Sequence, residues 1–155
     1  MTPDEGYHLL IADIDELAGL SRRTSEGLAA QFGQSVARWH VLSVVNSGPA
    51  TVPFIAHRLG LARQSVQRVV HLLCDEHLIL MQVNPDHARS PLFTITEDGS
   101  RVLSQIVQRS EAVGQRVLDS SGISGPELTQ TQRTLRRMID ALRANASTRD
   151  PRTAG

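Results

Sequence analysis

The chain has 155 residues and a formal net charge of +0, with 16 basic residues against 16 acidic ones; every basic residue is arginine. A hydrophobic share of 40% and a charged share of 21% exclude wholesale disorder, and a single cysteine excludes an internal disulfide framework and a Cys-rich zinc site. The longest apolar runs fall far short of the ~20 residues a membrane helix needs, the start Met1 to Gly6 is polar and acidic rather than a secretory signal, and three Phe, one Trp and one Tyr are too few for a platform that stacks single-stranded bases.

Asp4 to Phe32 reads as one long helix, because Tyr7, Leu10, Ile11, Ile14, Leu17 and Ala18 recur at spacings of three and four, with Gly33 as its stop. Ser35 caps a second helix, Val36 to Asn46, which turns Val36, Trp39, Leu42 and Val45 inward. Asn46-Ser47-Gly48-Pro49 breaks the pattern. Thr51 caps a short helix, Val52 to Leu59, that ends at Gly60. Only Leu61 and Ala62 separate it from the next helix, Arg63 to about His77. Two short helices joined by a tight glycine-containing turn predict a helix-turn-helix.

The period then changes. Leu78 to Val83 and Leu92 to Thr96 are β-type runs around the polar loop Asn84 to Pro91, a hairpin too small to stand without the helices before it. Thr96 caps a helix from Glu97 to about Ser120, with Val102, Leu103, Ile106, Val113 and Val117 as its stripe. Ser124 and Glu127 form a capping box for the last helix, which runs to about Ala144. The fold class is therefore mainly α with a small β hairpin: a winged helix-turn-helix over 35–97, an N-terminal dimerisation helix over 1–34, C-terminal dimerisation helices over 98–145, and a disordered tail over 146–155. The stripes of the terminal helices need a partner, and a second subunit is the economical one.

Zero net charge argues against a nucleic-acid partner, but the charge is unevenly spread. From Gly27 to Cys74 there is no acid, while Arg38, Arg58, Arg63 and Arg68 lie there. A segment of +4 thus sits between acidic ends, and a local face of that kind acts over roughly a Debye length, ~8–10 Å in physiological salt.

On a helical wheel Val66, Val69, Val70, Leu73 and His77 share the core face of the fourth helix, and Gln64, Gln67, Arg68 and His71 lie opposite, with Arg63 at the edge. Arg bonds guanine bidentately, Gln bonds adenine, and Ser65 near the helix start can hold a phosphate. Arg63, Gln64, Ser65, Gln67, Arg68 and His71 are therefore the candidate DNA-reading set. Asp75 and Glu76 come only at the far end. Thr51 and Arg58 are candidates for the DNA backbone. On the wing, Arg89 with Ser90 is placed to reach a minor groove. A salt bridge from Arg89 to Asp86 would stiffen the same loop, and the two roles are compatible.

The run Phe54-Ile55-Ala56-His57-Arg58-Leu59-Gly60-Leu61, then Arg63 to Val70, Leu78-Ile79, the wing Asp86-His87-Ala88-Arg89-Ser90 and Thr94-Ile95-Thr96-Glu97-Asp98-Gly99 resembles the MarR family of bacterial winged-helix regulators. The resemblance in helix order spans nearly the whole chain. It implies a homodimer joined by the terminal helices, two winged helices on a near-palindromic operator in double-stranded DNA, and, in many such proteins, repression relieved by a small, often phenolic ligand. By motif position it implies recognition-helix contacts from Arg63 to Arg68 and a wing contact from Arg89. This sequence departs from the pattern at four points. Ile95 replaces the usual Leu, and the wing is one residue longer from Asp to Gly. Ala62 stands where Asp or Ser usually caps, and His77 stands where Gly usually ends the recognition helix.

Trp39 and His40 are candidates to line a mostly aliphatic pocket for a small aromatic or apolar ligand, with Trp39 as plain core the alternative. Cys74 has acidic rather than basic neighbours and reads as a packing or half-exposed residue. No His pair stands in register with a carboxylate, and no nucleophile, phosphate-loop or paired-carboxylate motif stands out. The reading is a cytoplasmic DNA-binding regulator without catalytic activity, membrane association, bound metal or cofactor. A winged-helix dimer that serves as a protein-interaction module, and a metal-sensing repressor, are the alternatives.

Overall fold

The first helix begins on a signal that the sequence reading passed over. Thr2 accepts a hydrogen bond from the Glu5 N–H at 3.3 Å, while the Glu5 carboxylate accepts from the Thr2 N–H at 2.7 Å. This reciprocal box, with Pro3 in the first turn, starts α1 at Pro3 and carries it to Ala30. Gly33 then takes φ +67°, the left-handed stop its type predicted. The coordinates are a computed structural model, and the structure describes residues 2–147.

Helices α2 (Val36–Asn46) and α3 (Val52–Leu59) have the expected bounds. Ser35 and Thr51 cap them by accepting from the N–H groups of Arg38 and Phe54, each at 3.3 Å. Gly60, at φ +66°, turns the chain into α4 (Arg63–Asp75), whose first turn has no side-chain cap because Ala62 offers no acceptor.

The end of α4 corrects the sequence reading. The helix stops at Asp75, and His77 is exposed at φ +58° rather than facing the core. The usual glycine is missing, yet the left-handed turn is kept, with a histidine bearing its cost.

Strands β1 (Ile79–Gln82) and β2 (Leu92–Ile95) pair antiparallel, with Ile79 opposite Ile95 and Gln82 opposite Leu92. Ala50 adds a rung that the sequence did not announce: it exchanges N–H···O bonds of 3.1 and 2.8 Å with Phe93. The wing is thereby tied to the segment that leads into α3. Val41, Leu42, Ile55, Val66, Val70, Leu73, Ile79 and Phe93 form the centre of the core, all fully or almost fully out of solvent.

Helix α5 (Glu97–Ser121) starts on Thr96, whose hydroxyl accepts from the Gly99 N–H at 3.0 Å, and buries Leu103 and Ile106 in its first half. The chain divides into two compact units at Glu111 and Ala112, within this helix. The second unit holds the rest of α5 and α6 (Gly125–Ser147). Gly122 turns between them at φ +67°, and the expected Ser124–Glu127 box is present: the Glu127 carboxylate accepts from the Ser124 N–H at 2.8 Å. Helix α6 runs past the expected end at Ala144 and takes in Ala146 and Ser147 of the expected tail; residues 148–155 lie outside the described residues. Among the described residues no helix is long and apolar enough to cross a membrane.

Candidate nucleic-acid interface

The hydrophobic period of α4 decides which of its side chains face out. Val66, Val70 and Leu73 are fully buried and Val69 half-buried, so Arg63, Gln64, Ser65, Gln67, Arg68 and His71 are all exposed. The wing curls over one edge of this face. Arg63, Gln64 and Gln67 of α4 and Arg89, Ser90 and Pro91 of the wing line one groove together with Val52 and Pro53 of α3; no carboxylate lines it. Five of the candidate residues are thus brought together, two from the wing and three from α4. Ser65, Arg68 and His71 are presented on α4 outside this groove.

The wing loop is shaped by Asn84. Its Nδ2 donates to the Ser90 carbonyl at 2.9 Å, and its Oδ1 accepts from the Asp86 N–H at 3.1 Å. The Ser90 N–H donates to the His87 carbonyl at 3.0 Å. No ion pair joins Asp86 to Arg89: among the described residues the salt bridges are Arg38 with Glu76 and Arg101 with Glu97 and Asp98. Arg89 therefore faces the groove with its charge unspent.

Two anchors fix the exit of α4, one to the base of the wing and one to α2. In the first, Thr96 Oγ1 lies 2.8 Å from the His77 carbonyl oxygen and 3.0 Å from that of Leu78, and the Thr96 N–H donates to Leu78 at 3.0 Å. Gly99 permits this approach, because a Cβ there would stand 2.0 Å from the Leu78 oxygen. In the second, Arg38 of α2 pairs with Glu76 just past the end of α4. The Arg38 guanidinium against it holds the Glu76 carboxyl below the usual carboxylate range despite partial burial.

That pair also revises the charge count. Arg38 is only 14% exposed at its side chain and is neutralised, so the acid-free segment offers Arg58, Arg63 and Arg68 to an outside partner. Arg58 points elsewhere than the groove. It lines a cleft of about 530 Å³ between α2 and α3, together with His40, Ser43, Val44, Ser47, Phe54 and Leu59. His40 is exposed there, and Phe54, which the sequence reading did not single out, leaves 57% of its surface open. Trp39 packs half-buried against the core. Thr51 spends its hydroxyl on the α3 cap and borders a small recess with Pro53, Asn84, His87 and Ser90. Cys74 is half-buried, and burial followed by the charge of Asp75 pushes its thiol pKa up, which disfavours a reactive thiolate. Among the described residues no three His, Cys, Asp or Glu side chains converge as a metal site would need.

No protein-family model matches the chain. It is similar to uncharacterized proteins of Mycobacterium tuberculosis and Mycobacterium bovis, 47% identical over 135 residues, which cover 87% of this chain and 93% of each relative. Among solved structures, a MarR family transcription regulator has a TM-score of 0.75 at 24% identity over 95% of both chains. Staphylococcus aureus MarR, in complex with salicylate and kanamycin, has a TM-score of 0.80 at 15% identity over 88% of this chain and 91% of that one. The transcriptional regulator BldR from Sulfolobus solfataricus has 0.77 at 15% identity, over 91% and 99%.

Proposed function

We propose that this chain, which belongs to one family with those mycobacterial proteins and has the MarR-type winged-helix fold, is a homodimeric transcriptional regulator that reads double-stranded DNA. The observation that carries this reading is the acid-free groove in which Arg63, Gln64 and Gln67 of α4 meet Arg89 and Ser90 of the wing. Two elements that approach DNA from different grooves converge there, and guanidinium and amide groups are what base edges and phosphates bond. Arg63, Gln64, Gln67 and Arg68 read the major groove, Ser65 holds a phosphate, and Arg89 enters the minor groove.

A near-palindromic operator follows from a twofold dimer. Helix α1 leaves Leu9, Leu17 and Leu20 exposed, and α6 leaves Leu128 and Leu142, which is the apolar surface a second subunit would cover. The α2–α3 cleft is the place for a releasing ligand. Its walls of Val44, Phe54 and Leu59 suit an apolar body, and Arg58 and His40 suit a polar or anionic end. A ligand that prefers one spacing of the two recognition helices would lower operator affinity by that preference, giving relief of repression.

Binding of the purified dimer to DNA from upstream of its own gene, measured by fluorescence anisotropy across a salt series, tests the reading. Affinity should fall steeply with salt, and Arg89→Ala should weaken it about 5-fold to 10-fold with a shallower salt slope. A folded dimer that binds no DNA at low salt overturns the regulator reading and leaves a protein-interaction module.

A further inference from the structure

On the exposed face of α4, the Gln67 Nε2 and the His71 Nε2 are 2.9 Å apart. Nitrogen faces nitrogen, and the amide nitrogen has hydrogens to give but no lone pair to offer. The amide therefore donates, His71 Nε2 accepts, and the imidazole carries its proton on Nδ1. We infer that His71 is a positioning residue for base reading: with its proton on Nδ1 it holds the Gln67 amide in an orientation that presents an adenine-reading edge to the DNA. The inference rests on the DNA-reading function proposed above and goes beyond it, because it gives His71 a role through Gln67 rather than as a contact of its own.

A glutamine that reads adenine must present its oxygen to the N6 amino group and an amide hydrogen to N7, side by side. A free glutamine on a helix surface rotates its amide, so the edge it shows is undetermined and ordering it costs side-chain entropy on binding. With one amide hydrogen held by His71, Gln67 keeps Oε1 and its second hydrogen as a coplanar acceptor and donor. The opposite amide orientation needs the other ring tautomer, with the proton on Nε2 giving to Oε1, so the edge that Gln67 shows is tied to a His71 proton on Nδ1. The spacing of four residues places His71 one turn further along α4, and Gln67 itself lines the groove with Arg63, Gln64 and Arg89. The order of parts is thus the groove, the reader Gln67, and behind it the support His71. No other side chain bonds to either of the two among the described residues.

The bland alternative is a surface pair one helical turn apart, worth a few tenths in helix stability and nothing in specificity. The two readings differ in a measurable way. Selection of bound DNA from random sequence is carried out with the full-length dimer as wild type, Gln67→Ala, His71→Leu and His71→Gln, with folding of each checked by circular dichroism. Wild type should show an adenine preference at one position of each half-site that Gln67→Ala abolishes. His71→Leu, which keeps bulk but has no acceptor, should weaken the preference at that same position by roughly 5-fold and leave neighbouring positions unchanged. His71→Gln, whose side-chain oxygen can accept from Gln67, should restore most of it.

Two results overturn the inference while leaving the regulator reading intact: an unchanged base preference in His71→Leu, or a change at a different position from the one Gln67→Ala affects. Selection that recovers no motif with wild type overturns the regulator reading itself, and this inference falls with it.

Discussion

In the winged helix, Leu42, Ile55, Val66, Leu73 and Ile79 are fully out of solvent, whereas α1 leaves 60% of Leu9 and 66% of Leu17 exposed, and α6 has no buried side chain among those described. Both regions are built from helices with a regular apolar stripe. The difference is that α2, α3, α4 and the hairpin converge on one another and close their own core, while α1 and α6 leave leucines of their stripes exposed. One region closes its core on contacts within the chain; in the dimer proposed above, the other would complete its burial by association. A substitution in the first should register as stability, and one in the second as oligomeric state.

The sharpest break of this comparison uses two glycines of the same helix. Gly99 and Gly114 both lie in α5, but a Cβ at Gly99 would stand 2.0 Å from the backbone oxygen of Leu78, and one at Gly114 meets nothing within 4 Å. Backbone cannot swing aside as a side chain can. Gly99→Ala should therefore cost about 3 kcal/mol or more in urea unfolding, through the base of the wing. Gly114→Ala should gain about 0.5–1 kcal/mol from helix propensity. Equal effects of the two would deny that the wing base is a tight joint.

Next in size is the association of the terminal helices. Leu17→Asp in α1 or Leu142→Asp in α6 should raise the dimer dissociation constant by about 100-fold or more, the loss of roughly one buried leucine in each of the two subunits of a symmetric interface. Sedimentation velocity reads the shift. The winged helix should keep its far-ultraviolet spectrum in the variants, and a chain that is monomeric before substitution would refute the dimer.

The same division explains what could be read from the sequence. The bounds of α2 and α3, the caps at Ser35, Thr51, Thr96 and Ser124, and the outward face of α4 were legible because each depends on residues within one or two turns. Arg38 was counted as a free cation because its partner, Glu76, lies on another element 38 positions away, and nothing local marks that pair. The Ala50–Phe93 rung and the placement of Arg58 across from His40 of α2 rather than with Arg89 are likewise products of tertiary contact. The Thr2–Glu5 box was within reach of sequence reasoning, since its spacing is the same as that of Ser124 and Glu127. His77 falls on the core face only if the helical wheel runs two residues past Asp75, and no local signal marks that earlier end.

The Arg38–Glu76 pair gives a smaller and pH-dependent effect. Glu76 is about half exposed, so solvent screens it, and Glu76→Gln should cost about 0.5–1 kcal/mol at pH 7. The folded pKa lies below the unfolded one. The contribution is therefore full above the ordinary carboxylate range and disappears as pH falls through the depressed folded value. Wild type and Glu76→Gln should differ in stability at neutral pH and converge as pH falls below the ordinary carboxylate range, as chemical denaturation at a series of pH values would show. A difference independent of pH would mean that the pair contributes shape rather than charge.

The smallest expected effect is a gain. His77 holds φ +58° at the exit of α4, a conformation that costs a residue with a Cβ about 1 kcal/mol and glycine nothing. Its contribution to the wing base is made by its carbonyl, which Thr96 Oγ1 approaches to 2.8 Å, and its imidazole is exposed. His77→Gly keeps the carbonyl and removes the strain, while the unfolded chain gains freedom that offsets part of the benefit. The net should be a stabilisation of about 0.5 kcal/mol, seen as a rise in the urea midpoint without a change in slope. Since the substitution lies at the far end of α4 from Arg63, DNA binding should be untouched. A loss of stability would instead show that the exposed imidazole is bonded in the folded dimer, and would move His77 from the self-contained region to the one completed by a partner.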